Sequence, residues 1–182
     1  MSYDKYSYYV LCEDRAHFGF VYGYLMEMGA KRGKINTIID FPEGKSDAKK
    51  FVQSNYGIAV EKMKQKSANT VLIVLRDADL DEHSTVLKFF DNSMNNVFIA
   101  VPKQNVETWF YFFANKDNAE SKDETKDRKL WYRQHNEKPK PAFCGKQFVD
   151  VIKCKKNNQS IPNIPASLDA TVSRIIEYEE NL

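Results

Sequence analysis

The sequence lacks long apolar segments, and none approaches the roughly 18 residues that a membrane-spanning helix needs. The N-terminal residues Met1-Ser2-Tyr3-Asp4-Lys5 lead into a polar and aromatic stretch without the apolar core of a secretory signal peptide. A membrane protein and an exported protein are therefore disfavoured. We expect a cytoplasmic protein that has no membrane partner.

Cysteine is also scarce. The three cysteines are odd in number, and none belongs to a C-x-x-C pair. A disulfide framework would need paired cysteines and a zinc ribbon would need closely spaced ones, so both classes are disfavoured. Free thiols of this kind agree with the reducing conditions of the cytosol.

No single sign of charge dominates the chain. Its 27 Lys and Arg residues nearly balance 25 Asp and Glu residues, which gives a formal net charge of +2. Bulk electrostatic attraction to nucleic acid is therefore not expected, and any basic binding surface must be local. The length of 182 residues and the hydrophobic content of 42% suit one compact domain with an ordinary core.

The motifs of nucleotide-binding folds are missing as well. No G-x-x-x-x-G-K-[ST] sequence precedes a predicted helix, and no G-x-G-x-x-G sequence follows the first predicted strand. The turn Gly44-Lys45-Ser46 follows the second predicted strand and has no upstream glycine. We interpret it as a helix-capping turn, with Ser46 as the N-cap.

The sequence does contain a regular alternation of strands and helices. Apolar runs predict strands at 8–12, 35–39, 70–75 and 97–101. Amphipathic stretches predict helices at about 18–28, 47–66, 84–92 and 106–113, with a bend or break near Asn55-Tyr56-Gly57 in the second. This alternation predicts an α/β fold of the Rossmann type, a mostly parallel sheet of about four strands with helices on both faces.

The composition changes in the second half of the chain, where 115–141 is dense in Lys, Asp, Glu and Asn. We divide the chain into an α/β core at 1–114, a charged loop or insertion at 115–141, and a helical extension at 142–182 that packs on the core. In the extension, Phe143 is expected to face inward and Ser167 to cap the last helix. The whole is expected to form a single compact domain.

Carboxylates follow three of the predicted strands. Glu13 follows the first strand, Asp77 and Asp79 follow the third, and Glu107 lies beyond the fourth in the first turn of a helix. Parallel strands end at the same edge of a sheet, so these side chains are expected to converge there. In an extended backbone, Asp77, Asp79 and Asp81 would also point to one side.

Carboxylates on rigid strand ends are typical ligands of Mg²⁺ or Mn²⁺, together with retained waters and substrate phosphate oxygens. This pattern predicts phosphoryl chemistry. Two simpler interpretations stay open, because an isolated Asp-x-Asp is typical of a solvated turn and Glu107 suits the first turn of any helix. His17 and His83 lie near the predicted site in sequence, but their spacing supplies no metal triad, so surface or packing roles are expected for both.

These residues resemble the metal-binding signature of the Toprim domain, in which a glutamate ends the first strand and Asp-x-Asp ends the third. The similar segments are Val10-Leu11-Cys12-Glu13-Asp14, Gly44-Lys45-Ser46, Leu75-Arg76-Asp77-Ala78-Asp79 and Val101-Pro102-Lys103-Gln104-Asn105-Val106-Glu107-Thr108-Trp109. They resemble small stand-alone bacterial Toprim-like proteins related to OLD-type (overcoming lysogenisation defect) nucleases. That resemblance implies a Toprim fold and a role in phage defence or mobile-element biology.

Carried onto this chain, the resemblance implies a metal site formed by Glu13, Asp77 and Asp79. Asp81 extends the aspartate pair as a further candidate ligand. OLD-type nucleases usually continue after the first glutamate with glycine and a second glutamate, whereas this chain has Asp14 and Arg15. A two-metal site would then require Asp14 or Glu107 to compensate. The zinc-binding cysteines of primases are absent, and a topoisomerase would need a far longer chain for its tyrosine nucleophile and gate.

The predicted function is a Mg²⁺- or Mn²⁺-dependent nuclease that hydrolyses phosphodiester bonds in DNA or RNA. The metal would activate water, with Glu107 as second ligand or general base. Lys45 or Lys103 would neutralise the scissile phosphate, although a solvated surface role is the more ordinary one for either lysine.

Two other functions stay open. One is a non-catalytic or partner-dependent Toprim-like subunit, for example one paired with an ATPase subunit, since the chain has no ATPase motif of its own. Candidates for an exposed aromatic surface on such a subunit are Tyr3, Tyr6, Tyr8, Trp131 and Tyr132. The other is a phosphate-ester hydrolase that acts on small molecules. The sequence is compatible with an oligomer but does not define one.

Overall fold

The computed structural model describes residues 2–41, 48–79, 81–90, 94–117, 120, 130–134 and 138–180. Its centre is a sheet of four strands, in which every pair of neighbours is parallel. The strands are β1 (Ser7–Cys12), β2 (Ile35–Thr37), β3 (Thr70–Leu75) and β4 (Val97–Ala100), in the spatial order β2-β1-β3-β4. The predicted α/β, Rossmann-like fold is confirmed.

A helix follows each strand, and further helices follow the core. They are α1 (Arg15–Glu27), α2 (Ala48–Lys64), α3 (His83–Phe89), α4 (Val106–Asn115), α5 (130–134), α6 (Pro141–Lys156) and α7 (Ala166–Glu180). The predicted break in α2 does not occur: the helix continues through Gly57, because a single helical glycine costs only about 1 kcal/mol and the packed face of α2 outweighs it. Among the helices in the described part of the chain, none has the length and hydropathy of a bilayer span.

The two faces of the sheet carry separate hydrophobic cores. Successive residues of a strand point to opposite faces, so Ile73 and Leu75 join one core while Leu72 and Val74 join the other. The first core lies under α1, α4, α6 and α7 and is rich in aromatic rings, whereas the second lies under α2 and α3. Every residue of β3 is buried, as expected of a central strand that is covered on both faces.

The order of the strands places a topological switch point between β1 and β3, and we call the region outside the carboxyl ends of these two strands the crevice. From β1 the chain crosses to β2 over the first face, and from β2 it returns past β1 to β3 over the second face. The connections that leave β1 and β3 therefore diverge to opposite sides of the sheet. In open α/β sheets, ligands bind at such a switch point, just outside the carboxyl ends of the strands.

The helices α1 and α6 pack closely because glycines lie at their contact. A Cβ atom at Gly23 would lie 2.0 Å from the carbonyl oxygen of Ala142, and a Cβ atom at Gly145 would lie 2.0 Å from the carbonyl oxygen of Phe20. Any larger residue at either position would push the two backbones apart. This contact joins α6 to the core.

The charged segment at 115–141 contains ordered, packed residues. Trp131 of α5 contacts Tyr111 with ring centroids 4.9 Å apart, and Tyr132 contacts Phe110 at 5.3 Å. Both partners belong to α4, so α5 lies on that helix. The buried Glu120 accepts the backbone N–H of Ser167. The segment expected to be irregular therefore covers part of the core.

Several side-chain predictions are wrong. Phe143 is 55% exposed, because α6 turns other residues towards α1. Ser167 lies inside α7 rather than at its cap, and its hydroxyl donates to Glu120, which takes over the role of satisfying the start of the helix. Tyr3 and Tyr8 are buried in the first core, where their rings stack on each other.

Candidate metal centre

Two buried carboxylates meet at the carboxyl ends of β1 and β3. Glu13 directly follows β1, Asp77 is the second residue after β3, and the register of these strands pairs Cys12 with Leu75. Glu13 is 8% exposed and Asp77 is 1% exposed. The backbone N–H of Asp77 donates to Glu13 Oε1 at 3.2 Å. The strand register thus brings the two side chains together.

Asp77 is held by one of its two carboxylate oxygens. Oδ1 accepts the backbone N–H of Val106 at 2.9 Å, and Nε2 of His17 lies 2.9 Å from the same atom. Val106 begins α4, and the free N–H groups at a helix N-terminus favour a nearby negative charge. Within the described residues, Asp77 Oδ2 accepts no hydrogen bond. One anionic oxygen of Asp77 therefore stays available.

His17 bridges two aspartates. Its Nε2 faces Asp77 Oδ1 at 2.9 Å and its Nδ1 faces Asp14 Oδ1 at 2.8 Å. A neutral imidazole donates from one nitrogen only, so two carboxylate partners select the protonated ring. Burial by itself would lower the pKa of His17, but Asp77 and Asp14 together raise that pKa well above its usual value. The ring is therefore a positive charge inside an acidic site.

Asp14 positions His17 by capping α1. Asp14 Oδ1 accepts the backbone N–H groups of Ala16 and His17 at 2.8 and 3.0 Å, as an N-cap aspartate does. Burial would raise the pKa of Asp14, but the hydrogen bonds from the His17 ring and from these N–H groups hold it well below its usual value. The side chain of Asp14 is 56% exposed, whereas His17 and Asp77 are enclosed. One partner of His17 thus lies at the surface and the other in the crevice.

Glu13, His17 and Asp77 each offer a potential ligand atom, and these atoms lie within 4.8 Å of one another. Distance alone would allow a three-ligand metal site. The hydrogen bonds argue against His17 as a ligand, because both ring nitrogens face carboxylates and neither lone pair is available. The atoms left for a cation are Glu13 Oε2 and Asp77 Oδ2, which are hard oxygen donors.

The pKa of Glu13 reflects its burial and the closeness of other carboxylates. Burial and the neighbouring Asp77 raise the pKa of Glu13 to about 7, and the positive His17 partly opposes this rise. A carboxyl group with such a pKa is costly to ionise, and a bound cation would remove that cost. Carboxylates perturbed in this way in a crevice are typical of functional sites.

The backbone is no longer extended at Asp79. Its φ is 52°, and its N–H donates at 2.7 Å to Gln104, which also has a positive φ of 67°. The alternation expected to put Asp77 and Asp79 on one side therefore ends at Asp79, because the left-handed conformation redirects the side chain. Asp79 stays near enough for its charge to raise the pKa of Glu13. Its role as a metal ligand stays a prediction.

Asp81 has a different partner from the one expected. Its Oδ2 lies 2.8 Å from Nη2 of Arg76, whose side chain is completely buried. Backbone pairing of Arg76 with Ala100 and of Ala78 with Pro102 keeps this stretch extended, so Arg76 and Asp77 point to opposite sides. Asp81 therefore serves as counter-ion to a buried cation, and its metal-binding role stays a prediction.

The remaining predicted residues surround the crevice or lie outside the described residues. Glu107 is 9% exposed in the first turn of α4, next to the Val106 N–H that binds Asp77. Lys103 is exposed in the loop before α4. Lys45, with the whole turn Gly44-Lys45-Ser46, lies outside the described residues. The roles of Glu107 and both lysines stay predictions.

The sequence interpretation missed His17 as a site residue, and it named Asp14 only as a possible extra metal ligand rather than as the N-cap that holds His17. A surface or packing role is expected for His17, whereas the structure buries it between two aspartates. A local pattern could have indicated half of this arrangement, since an aspartate N-cap and a residue three positions later face each other. The contact with Asp77 spans 60 residues of sequence and follows from the pairing of β1 with β3.

The structure thus gathers buried acidic side chains at the switch point of a parallel sheet, and within the described residues one oxygen on each of two carboxylates accepts no hydrogen bond. A fold of this type serves many unrelated functions, so function has to follow from the side chains of the site. Comparisons of the chain with protein-family models, with curated proteins and with solved structures give no match.

Proposed function

We propose that this protein is a divalent-metal-dependent nuclease that hydrolyses phosphodiester bonds in DNA or RNA. The observation that carries the proposal is the pair of oxygens, Glu13 Oε2 and Asp77 Oδ2, at the carboxyl ends of adjacent parallel strands. The other oxygen of each carboxylate is already held by the protein. Within the described residues, Glu13 Oε2 and Asp77 Oδ2 accept no hydrogen bond and are left for a cation.

The donor atoms fit Mg²⁺ or Mn²⁺. Both ions prefer oxygen ligands, and Mg²⁺ is commonly bound by one or two carboxylates together with waters and substrate phosphates. Zinc would favour nitrogen and sulfur ligands, and both nitrogens of His17 are engaged with carboxylates. When bound, such an ion supplies an activated water and stabilises negative charge on the phosphate.

The chain itself orients the two carboxylates. Val106 N–H and the ring of His17 hold Asp77 through Oδ1, and the backbone N–H of Asp77 holds Glu13 through Oε1. Groups that fix a ligand in this way commonly change metal affinity by about 10- to 100-fold when they are removed. Orientation is thus built into the fold before any substrate arrives.

Four further residues complete the proposed reaction. Asp79 is the additional metal ligand, and Glu107 is the second ligand or the general base. Lys103 or Lys45 neutralises the scissile phosphate. Glu107 and Lys103 belong to α4 and to the loop before it, and the first N–H of α4 binds Asp77. These two residues therefore approach the substrate from that side.

The order of the acidic residues supports a Toprim-type site. A glutamate follows β1, an Asp-x-Asp pair follows β3, and these strands are neighbours in the sheet. We therefore propose that the chain belongs with the stand-alone bacterial Toprim-like proteins related to OLD-type nucleases. The proposed setting in phage defence or mobile-element biology rests on that resemblance.

Cleavage of plasmid, single-stranded DNA and RNA in the presence of Mn²⁺ tests the proposal. Asp77→Asn is the sharpest variant, because its amide oxygen can still accept from Val106 and His17 while the anionic Oδ2 is lost. Cleavage should fall by at least about 100-fold. Asp150→Asn, on the exposed side of α6, should leave it unchanged. No cleavage by the wild type, or cleavage that survives Asp77→Asn, contradicts the proposal, and activity on nucleotides alone indicates a small-molecule phosphate-ester hydrolase.

A second candidate is a non-catalytic subunit that works with a protein partner such as an ATPase. The observation in its favour is the positively charged His17, because a resident cation already balances part of the negative charge at the site. Metal binding separates the two candidates. For a nuclease, Mn²⁺ should raise the Tm by an amount that grows with free metal, and Asp77→Asn should abolish this increase. A non-catalytic site that binds no ion should give no increase.

A further inference from the structure

Exposed basic side chains lie at the start of α1 and just before α6. The contact between α1 and α6 brings the start of α6 to the first turns of α1, where a Cβ atom at Gly19 would lie 3.2 Å from Cβ of Pro141. Lys140 directly precedes Pro141 and Lys138 lies two residues before Lys140, so both lie close to the start of α6. Arg15 begins α1, and all three basic side chains are exposed.

Aromatic side chains lie on the same side of the crevice. Tyr132 packs on Phe110 with ring centroids 5.3 Å apart, and Trp131 packs on Tyr111 at 4.9 Å. Phe110 and Tyr111 follow Glu107 by three and four residues, which is one turn of α4. The two α5 rings are therefore about one helical turn from the first turn of α4. Both Trp131 and Tyr132 remain partly exposed.

Tyr132 links these aromatic and basic residues to the crevice. Burial is the main reason that the pKa of Tyr132 rises to about 12, and the charges of Glu107 and Asp14 contribute to the rise. The Nζ atom of Lys138 lies 5.1 Å from the centre of the Tyr132 ring, which is a cation–π contact. The rings, the lysines and the acidic residues thus belong to one continuous region.

We propose that an aromatic-basic rim, formed by Arg15, Trp131, Tyr132, Lys138 and Lys140, binds a single strand of nucleic acid and directs it to the acidic crevice. This inference rests on the proposed nuclease function and adds the substrate class. The basic side chains neutralise phosphates next to the scissile one, and an aromatic ring stacks on an unpaired base.

The chemistry of the rim favours a single strand over a duplex. Stacking on a side chain requires a base with a free face, and the bases of a duplex are stacked on one another. With a formal net charge of +2, the chain has no large excess of positive charge for contacts along both strands of a duplex. The three basic residues are instead gathered at the start of α1 and just before α6.

Fluorescence anisotropy with a labelled oligothymidylate tests the inference in EDTA, where no metal-dependent cleavage occurs. Replacing Lys138 and Lys140 together by Gln should weaken binding. It should also lower the slope of log Kd against log salt concentration by about 1.4, because each phosphate contact on a single strand contributes about 0.7. The matched control, Lys62→Gln with Lys64→Gln, removes the same charge from the exposed C-terminal end of α2 and should leave the slope unchanged.

The aromatic contribution needs its own variant. Trp131→Ala should weaken binding of the oligothymidylate by roughly tenfold with little change in the salt slope, because stacking carries no charge. Trp131→Phe keeps a ring and should restore most of the affinity. A thermal melt of each variant identifies any loss of binding that comes from unfolding, and the Phe variant keeps the test valid if the Ala variant does not fold.

Four outcomes would contradict the proposal that the rim binds a single strand. They are wild-type protein that does not bind the oligothymidylate, equal affinity for a duplex of the same length, rim variants that bind like the wild type, and control lysines that matter as much as rim lysines. The nuclease proposal is tested separately. A wild type that binds through the rim but never cleaves with Mn²⁺ overturns only that proposal, whereas a wild type that cleaves while rim variants bind normally overturns only the rim.

Discussion

The first turn of α1 and its middle turns are stabilised in opposite ways. In the first turn, Asp14 and His17 join charged groups through hydrogen bonds, and His17 continues to Asp77 inside the crevice. In the middle turns, Gly19 and Gly23 let α6 approach closely, so the contact is made by backbone and small apolar atoms. One helix thus connects a charged site to a close-packed interface.

Stability and function can be separated along α1, because its first turn is charged and its middle turns are close-packed. Close packing fails when volume is added, whatever the pH, because atoms cannot overlap. The charged end responds to pH and to cations, because protons and metal ions compete for the same carboxylates. Substitutions in the middle turns should therefore change the stability of the whole fold, while substitutions in the first turn should change ion binding as well.

Asp77→Ala should show the largest effect at the charged end. It leaves the positive ring of His17 and the N–H of Val106 buried without their shared acceptor, which should lower the free energy of unfolding by about 3–5 kcal/mol. Urea denaturation at pH 7 measures this loss. Asp77→Asn keeps the acceptor oxygen and should cost clearly less. Equal losses for the two variants would show that the shared acceptor is unimportant.

Gly23→Ala should show the main effect at the close-packed end. The added Cβ would overlap the backbone of Ala142, so the free energy of unfolding should fall by about 3 kcal/mol. Gly57→Ala is the matched control, because that helical glycine has nothing within 4 Å of an added Cβ and the change should raise stability by about 0.5–1 kcal/mol. Urea denaturation of both variants measures these changes in stability. A Gly23→Ala protein as stable as the wild type would contradict the close approach of α1 and α6.

Glu13→Gln should stabilise the metal-free protein in a pH-dependent way. The pKa of Glu13 is about 7 in the folded protein against a usual 4.5, so folding takes up a proton between these values and stability falls as the pH rises through them. At pH 8 the variant should gain about 1–3 kcal/mol, and at pH 4 almost nothing. Unfolding in EDTA at pH 4, 6 and 8 measures the trend. A gain that does not vary with pH would contradict the raised pKa of Glu13.

Asp81→Asn should have the smallest effect and should decide the role of this residue. As the counter-ion of the buried Arg76, Asp81 should contribute about 1 kcal/mol to stability, since its side chain is 38% exposed and the pair is partly screened. The Tm increase produced by Mn²⁺ should stay as large as in the wild type. A reduced increase with Mn²⁺ would instead identify Asp81 as a metal ligand.

Much of the fold could be predicted from local pattern. The run Thr70–Leu75 indicates a strand covered on both faces, because such strands are continuous apolar segments rather than alternating ones. The ends of the elements are less predictable, since the apolar pattern predicts the second strand at 35–39 and the strand ends at Thr37. The exposed Phe143 and the buried Tyr3 were mispredicted because hydrophobicity alone does not say which side of an element meets the core.

The candidate site could be predicted only in outline. Glu13 and Asp77 could be named because each follows an apolar strand, and parallel strands end at one edge. Asp79 was expected to continue the alternation, but its N–H binds Gln104 on the next strand's loop and its backbone turns left-handed there. That pairing joins residues of different connections, so no local period contains it.

The order of strands and helices and the carboxylates after β1 and β3 can be read from the sequence alone. These features depend on hydrophobic period and turn chemistry, which act between near neighbours. The position of His17 between Asp14 and Asp77, the available oxygen of Asp77 and the packing of α5 on α4 follow from the tertiary structure. Those arrangements depend on strand register and on contacts between helices, which join segments far apart in the chain.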